Sequence, residues 1–321
     1  MSTIDFSFKS FKAYFCIVAA VCCIQCSLFQ TPESKKDPQY TNKEFQNNPN
    51  PKVIREINFK VLLGERVKDW CKRLESQKIL KCEAVQTIAG LESFSKFSFI
   101  GPKKYSLSRF EGLFPVGDFT IYLDKSPQKQ LVFLSQTDTY KLLYSLLEKK
   151  EQRLQAIISQ KKNNDGTLKL SLRQKIILAS IVEKEAVSNQ DYELVASVFY
   201  NRLKKGIRLA SCPTLEYALG YHRPFLLYSD LKLKSPYNVY KNFGLPPTPI
   251  SFFSEDSFGA TSEPKMSQYY FFVYDWTKKE LFFAKDYDVH KQNAIKARNN
   301  YVKKYGKNSL YQIQAGKFYE H

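Results

Sequence analysis

The sharpest periodic signal in the chain is a stripe in which Leu178, Ile181 and Val182 are followed, at the next position of the series, by an acid, Glu185. The spacing i, i+3, i+4, i+7 puts all four on one face of an α-helix. Ser171 and Gln174 form a capping box that starts this helix. Glu183 and Lys184 fall off the stripe and are expected on its solvent side. A second helix shows in Tyr192, Val195, Ala196, Phe199 and Leu203, begun by Gln190 or Asp191 and ended by Gly206. The short loop between them predicts an antiparallel pair. Residues 139–160 form a further helical segment, followed by a polar turn at 161–167. Upstream, residues 57–63 alternate in part as a strand does. Gly64 turns the chain, and Val67, Trp70, Cys71 and Leu74 then recur at helical spacing. Residues 53–105 therefore read as a small α/β module and residues 106–321 as a larger region, within an α+β fold.

The N-terminal pattern differs. Residues 13–29 are almost unbroken apolar sequence, at the short end of what a membrane-spanning helix needs. Lys9 and Lys12 precede the run, which predicts a cytoplasmic tip, a single-pass anchor and a remainder outside the cytoplasm. A cleaved signal peptide competes with this reading, although no small-x-small site follows the run. Residues 30–52 are polar and rich in Pro, Asn and Lys, as in a linker.

With 43% hydrophobic residues, the 321-residue chain can bury a core. Its net charge of +18 favours anionic partners, among them nucleic acid, acidic lipid and the carboxylate-rich peptides of a cell wall. No nucleic-acid motif accompanies the charge, so a nucleic-acid partner is not expected. Four of seven cysteines lie in the apolar run; the others are Cys71, Cys82 and Cys212. Neither these nor His222, His290 and His321 have metal-ligand spacing, so no metal and no cofactor is expected. Cys71 and Cys82 are open to two readings, a disulfide in an exported chain or two free thiols.

The acid on the apolar stripe changes the picture most. A desolvated carboxyl group holds its proton to higher pH and can donate it to a leaving oxygen. The competing reading is a buried Glu paired with Arg or Lys for structural reasons alone. Asn201 and Arg202, at the edge of the second helix, reach the same cleft only if the loop folds them there.

The run from Ile177 to Glu185, then Val195 to Leu203, closely resembles the signature of the MltG/YceG-like endolytic murein transglycosylases. The likeness continues through Gly206 to Leu209, Pro213, Thr214 and Tyr217, and resumes at Ser235 to Tyr240 and Gly244 to Pro247. Glu111-Gly112-Leu113-Phe114-Pro115 resembles the family's EGxxFP segment. The resemblance implies an N-terminal transmembrane helix, a LysM-like module at 53–105 and a catalytic domain over 106–321. It also implies Glu185 as the catalytic residue, the choice that periodicity makes independently. Glu111, Asn201, Arg202, Thr214, Tyr217, Tyr237 and Asn238 become candidates for substrate binding or support. The implied reaction cuts MurNAc–GlcNAc bonds of nascent glycan strands and leaves 1,6-anhydroMurNAc ends, with peptidoglycan, the inner membrane, peptidoglycan synthases and division proteins as partners. The chain departs from the pattern at Ala210 and Cys212, where the family carries Gln and Asp. Those departures keep open an alternative, a catalytically weakened peptidoglycan-binding scaffold.

Overall fold

The helix that carries Glu185 is buried on every side over residues 176–183 rather than along one stripe, and this sets the architecture. The computed structural model describes residues 54–102, 104–124, 133–160, 168–222 and 226–306. Its first part runs β1 (Ile54–Val61), α1 (Val67–Ser76), α2 (Cys82–Ile88), β2 (Gly117–Asp124) and α3 (Gln136–Gln160). The middle contains α4 (Leu172–Glu185), α5 (Tyr192–Lys204), α6 (Cys212–Leu219) and α7 (Tyr228–Leu231). The last part is α8 (Glu255–Ser262), β3 (Phe271–Asp275), β4 (Glu280–Ala284) and α9 (Tyr287–Tyr305). The fold is α+β. The apolar run 13–29 and the linker 30–52 lie outside the described residues, among which no helix is long and apolar enough to cross a membrane.

α4 lies between two apolar cores. Ile176 and Ala179 pack into the first, with β1, α1, α2 and α3. Ile177, Leu178, Ile181 and Val182 pack into the second, with α5, β3 and β4. A helix buried all round has no solvent side, and this corrects the expectation for Glu183. That residue is 7% exposed. It accepts hydrogen bonds from the Tyr192 hydroxyl at 2.7 Å, the Ser254 amide at 2.9 Å and the Ser254 hydroxyl at 2.7 Å. The start of α4 is as expected: the Gln174 amide donates to Ser171 Oγ, and the Ser171 amide donates to Gln174 Oε1. A single 3-10 turn, Asn189–Asp191, leads into α5.

β1 pairs antiparallel with β2, placing Ile57 opposite Ile121 and Phe59 opposite Phe119. The first core continues from these strands through Trp70, Phe94, Phe97 and Phe99 to Phe252, Phe253 and Phe258. Cys71 and Cys82 are joined in a disulfide, with Cα atoms 5.5 Å apart, which settles the choice left open above. It ties α1 to the start of α2. β3 and β4 make a separate antiparallel hairpin that places Phe272 opposite Phe283 in the second core.

Candidate active site

Glu185 is the last residue of α4, and its side chain is 2% exposed. Its Oε1 accepts a 2.6 Å hydrogen bond from the Ser211 hydroxyl. Its Oε2 is buried and has no hydrogen-bond partner among the described residues. This oxygen is therefore open to a further hydrogen-bond partner. Burial pushes the carboxyl up to about 7; the Ser211 hydroxyl, Arg202 and the Cys212 amide pull against this, while the charge of Glu216 reinforces it. The C-terminal end of a helix adds a negative field that also favours the neutral acid.

The loop from α5 to α6 delivers Ser211. Gly206 turns the chain with a φ of +65° after α5. Arg202, in the last turn of α5, donates from Nε to the Tyr270 carbonyl at 2.6 Å and from Nη1 to the Leu209 carbonyl at 2.5 Å. The Ala210 amide donates to the Val239 carbonyl at 3.1 Å. Ala210 takes a left-handed φ of +48°, and Ser211 follows as the N-cap of α6. Instead of capping its own helix, the Ser211 hydroxyl turns to Glu185. Ser211 escaped the sequence reading, although a Ser two places before Pro213 is itself a helix-start signal.

Three candidates meet in a second cluster. Glu111 is buried, and accepts from the Val67 amide at 2.9 Å and the Tyr217 hydroxyl at 3.0 Å. Burial raises its carboxyl to about 7 as well. The Tyr217 ring lies 4.7 Å from that of Tyr237, whose hydroxyl is 2.8 Å from Thr248 Oγ1. α6 joins the clusters, with Ser211 at its start and Tyr217 in its second turn.

The remaining candidates act from behind. Asn201 donates to the carbonyls of Ser267 and Tyr269. Thr214 donates to the Ser211 carbonyl. Asn238 donates from its side-chain amide to the carbonyls of Leu231 and Leu233, and its side-chain Oδ1 accepts from the Tyr240 amide. These contacts fix backbone around the site rather than present polar atoms to a ligand. His290 is also buried, stacked on Phe271 at 5.1 Å, and burial depresses its imidazole to about 4. Among the described residues, no cluster of three His, Cys, Asp or Glu side chains is arranged to hold a metal ion.

The sequence profile of the YceG-like family matches residues 29–296. The chain is similar to the endolytic murein transglycosylase of Bacillus subtilis (strain 168), at 40% identity over 134 residues, which is 42% of this chain and 36% of that protein. It is also similar to the endolytic murein transglycosylase of Streptococcus pneumoniae serotype 2 (strain D39), at 33% identity over 136 residues, or 41% of this chain and 25% of that one. The matched stretch thus spans well under half the length of either relative. A crystal structure of a yceG-like protein from Listeria monocytogenes superposes with a TM-score of 0.58 at 26% identity, covering 73% of this chain and 74% of the other.

Proposed function

Because the chain belongs to the YceG-like family, we propose that it is an endolytic murein transglycosylase, cutting MurNAc–GlcNAc bonds within peptidoglycan strands. The observation that carries the reading is the buried acid Glu185, with one oxygen held by Ser211 and the other unengaged among the described residues. Burial, which raises this carboxyl to about 7, keeps it protonated below neutral pH. Glu185 passes that proton to the glycosidic oxygen as the bond from C1 to that oxygen breaks. The C6 hydroxyl of the same muramyl residue attacks C1, forming the C1–O6 bond of the 1,6-anhydro ring, and its proton goes to Glu185. Attack within one sugar residue replaces the second protein carboxylate that most glycosidases need. The faces of Tyr217 and Tyr237, both half-buried, suit a sugar ring. Glu111 holds Tyr217 in place.

The rival reading, a peptidoglycan-binding scaffold, draws on Ala210 and Cys212. Ala210 adopts the turn that the loop requires, and Cys212 still presents its backbone amide to Glu185. Both positions therefore keep a role that does not need the family's side chain. Read as an anchor, the apolar run at 13–29 supports a place at the inner membrane with the described residues outside the cytoplasm, beside synthases and division proteins. A LysM-like role for the segment 53–105 draws on its order of one strand and two helices, although the strand that pairs with β1 lies beyond it, at Gly117–Asp124.

Digestion of purified glycan strands by the full chain tests the reading, with products read by mass spectrometry. Anhydro-muramyl ends are expected from the wild type and not from Glu185→Gln. Reducing ends would mean hydrolysis, and uncut strands would favour the scaffold.

A further inference from the structure

The segment after α7 folds back on itself around an open cavity of about 370 Å³, lined by Leu233, Lys234, Ser235, Pro236, Lys241 and Asn242. Hydrogen bonds within the segment set its walls. The Asn242 side-chain amide donates to the Ser235 carbonyl at 2.7 Å, and Lys241 Nζ donates to the Lys232 carbonyl at 2.9 Å. An ammonium group has three donors, so Lys241 keeps two for a ligand. The Ser235 hydroxyl accepts from the Tyr237 amide and keeps its own proton to donate. No carboxylate is among the lining residues, so the two lysines leave the cavity positive. Arg208 stands beside it: its Nε donates to the Lys241 carbonyl at 3.1 Å, and its guanidinium lies 4.4 Å from the centre of the Phe243 ring. Three contacts fasten this segment to the loop that brings Ser211 to Glu185. They are the Arg208 bond just described, the 3.1 Å bond from the Ala210 amide to the Val239 carbonyl, and the 2.9 Å approach of Cys212 Sγ to the Tyr240 hydroxyl. Tyr237, one of the aromatic pair, follows Pro236 directly.

We infer that this cavity is a subsite for a carboxylate of the acidic peptide borne by the muramyl residue, with Lys234 and Lys241 as its cations. The inference rests on the proposed glycan cleavage and adds to it what the chain reads besides sugar. The peptide branches from the muramyl ring itself, so a strand seated against Tyr217 and Tyr237 sends a flexible, negatively charged chain out beside those rings. A carboxylate is held there by charge-assisted hydrogen bonds from the two ammonium groups and by the Ser235 hydroxyl. Lysine suits this task, because it is a compact charge on a long stem and asks for no fixed fork geometry from a mobile ligand.

The test measures binding of dye-labelled strands to the full chain carrying Glu185→Gln, which needs no cleavage. Three probes are compared: strands that bear their peptides, strands stripped of peptides by an amidase, and peptide-bearing strands whose carboxylates have been amidated. The first is expected to bind about fivefold tighter than the other two. Adding Lys234→Met, at an exposed position, should at least halve that preference, and Lys241→Met should do the same. Lys234→Arg should keep it, because the charge remains. Lys303→Met, which removes the same charge from α9, should leave it intact. Equal binding of the three probes overturns the inference. So does a preference that survives both Lys234→Met and Lys241→Met, or one that Lys303→Met lowers as much, since bulk charge would then be its source. The second readout is anhydro-end formation by the chain with Glu185 in place. There Lys234→Met should raise KM for peptide-bearing strands more than it lowers kcat. If the binding preference behaves as expected but the wild type cuts no strand, the subsite stands and the proposed function fails.

Discussion

Burying a carboxyl group favours its protonated form, and Glu111 and Glu185 are both raised by burial to about 7 from the usual 4.5. The two groups serve different ends. Glu111 has both oxygens engaged, by Val67 and Tyr217, whereas Glu185 keeps one oxygen unengaged. Catalysis by Glu185 as an acid needs its proton, so cleavage is expected to fall as pH rises through about 7. A pH series of initial rates reads this; a flat profile from pH 5 to 8 would mean that Glu185 is not the acid. The same shifts make a claim about stability. The folded chain holds protons that the unfolded chain releases above the usual carboxylate range. Each site's contribution is therefore complete below pH 4.5 and is lost as pH rises through about 7, on the order of 3 kcal/mol per site. Thermal melts should show Tm declining from pH 5 to 8, with a shallower decline in Glu111→Gln, which stays neutral. An unchanged slope in that variant would show that Glu111 is ionised at low cost.

Element by element, the segments legible in the sequence were those whose signal is local. The stripe ending at Glu185, the capping box at Ser171 and Gln174, and the second helix stopping just before Gly206 all reappear in the structure. Glu183 was misread because periodicity finds one buried face and has no means of reporting a second; that face is covered by α8, distant in sequence. Ser211 leaves no trace in the sequence for a related reason, since its hydroxyl meets the end of a helix distant in sequence. The turn at Gly112 shows how much distant packing a short motif encodes. Its φ is +72°, and a Cβ there would lie 2.5 Å from Cβ of Pro249 and 3.0 Å from the Ser251 carbonyl oxygen. Gly112→Ala should therefore cost more than the roughly 1–2 kcal/mol of a left-handed residue alone. Because Glu111 is adjacent, the variant should also loosen Tyr217. Chemical denaturation would measure the first effect; a loss under 1 kcal/mol would mean that the Pro249 segment moves aside easily.

For the whole molecule, the question is whether residues 106–321 can stand alone, as a boundary near residue 105 implies. Two observations argue against it. β2 lies beyond residue 105 and finds its partner strand, β1, before it, so a truncation leaves β2 without its neighbour. The first core takes Trp70, Leu74, Phe94, Phe97 and Phe99 from the earlier segment, each essentially out of contact with water, and packs them with Phe110, Phe114 and Phe252 from the later one. Five such side chains contribute about 1.5–3 kcal/mol each, a sum comparable with the whole stability of an ordinary domain, about 5–15 kcal/mol. Backbone bonds run across the same junction, from the Gly64 amide to the Phe252 carbonyl and from the Phe252 amide to the Glu65 carbonyl. A pairing of strands so distant in sequence leaves no local trace, which is why periodicity divides the chain there. The chain 106–321 is thus expected to give neither a cooperative melt nor glycan cleavage, while a chain beginning at residue 53 gives a single transition that includes α1 and α2. Reduction of the Cys71–Cys82 bond should lower that transition as a whole, by about 3 kcal/mol from the short loop it closes. Two separate transitions in the longer chain, or a folded 106–321, would show that the continuous core is not what holds the face around Glu185 in place.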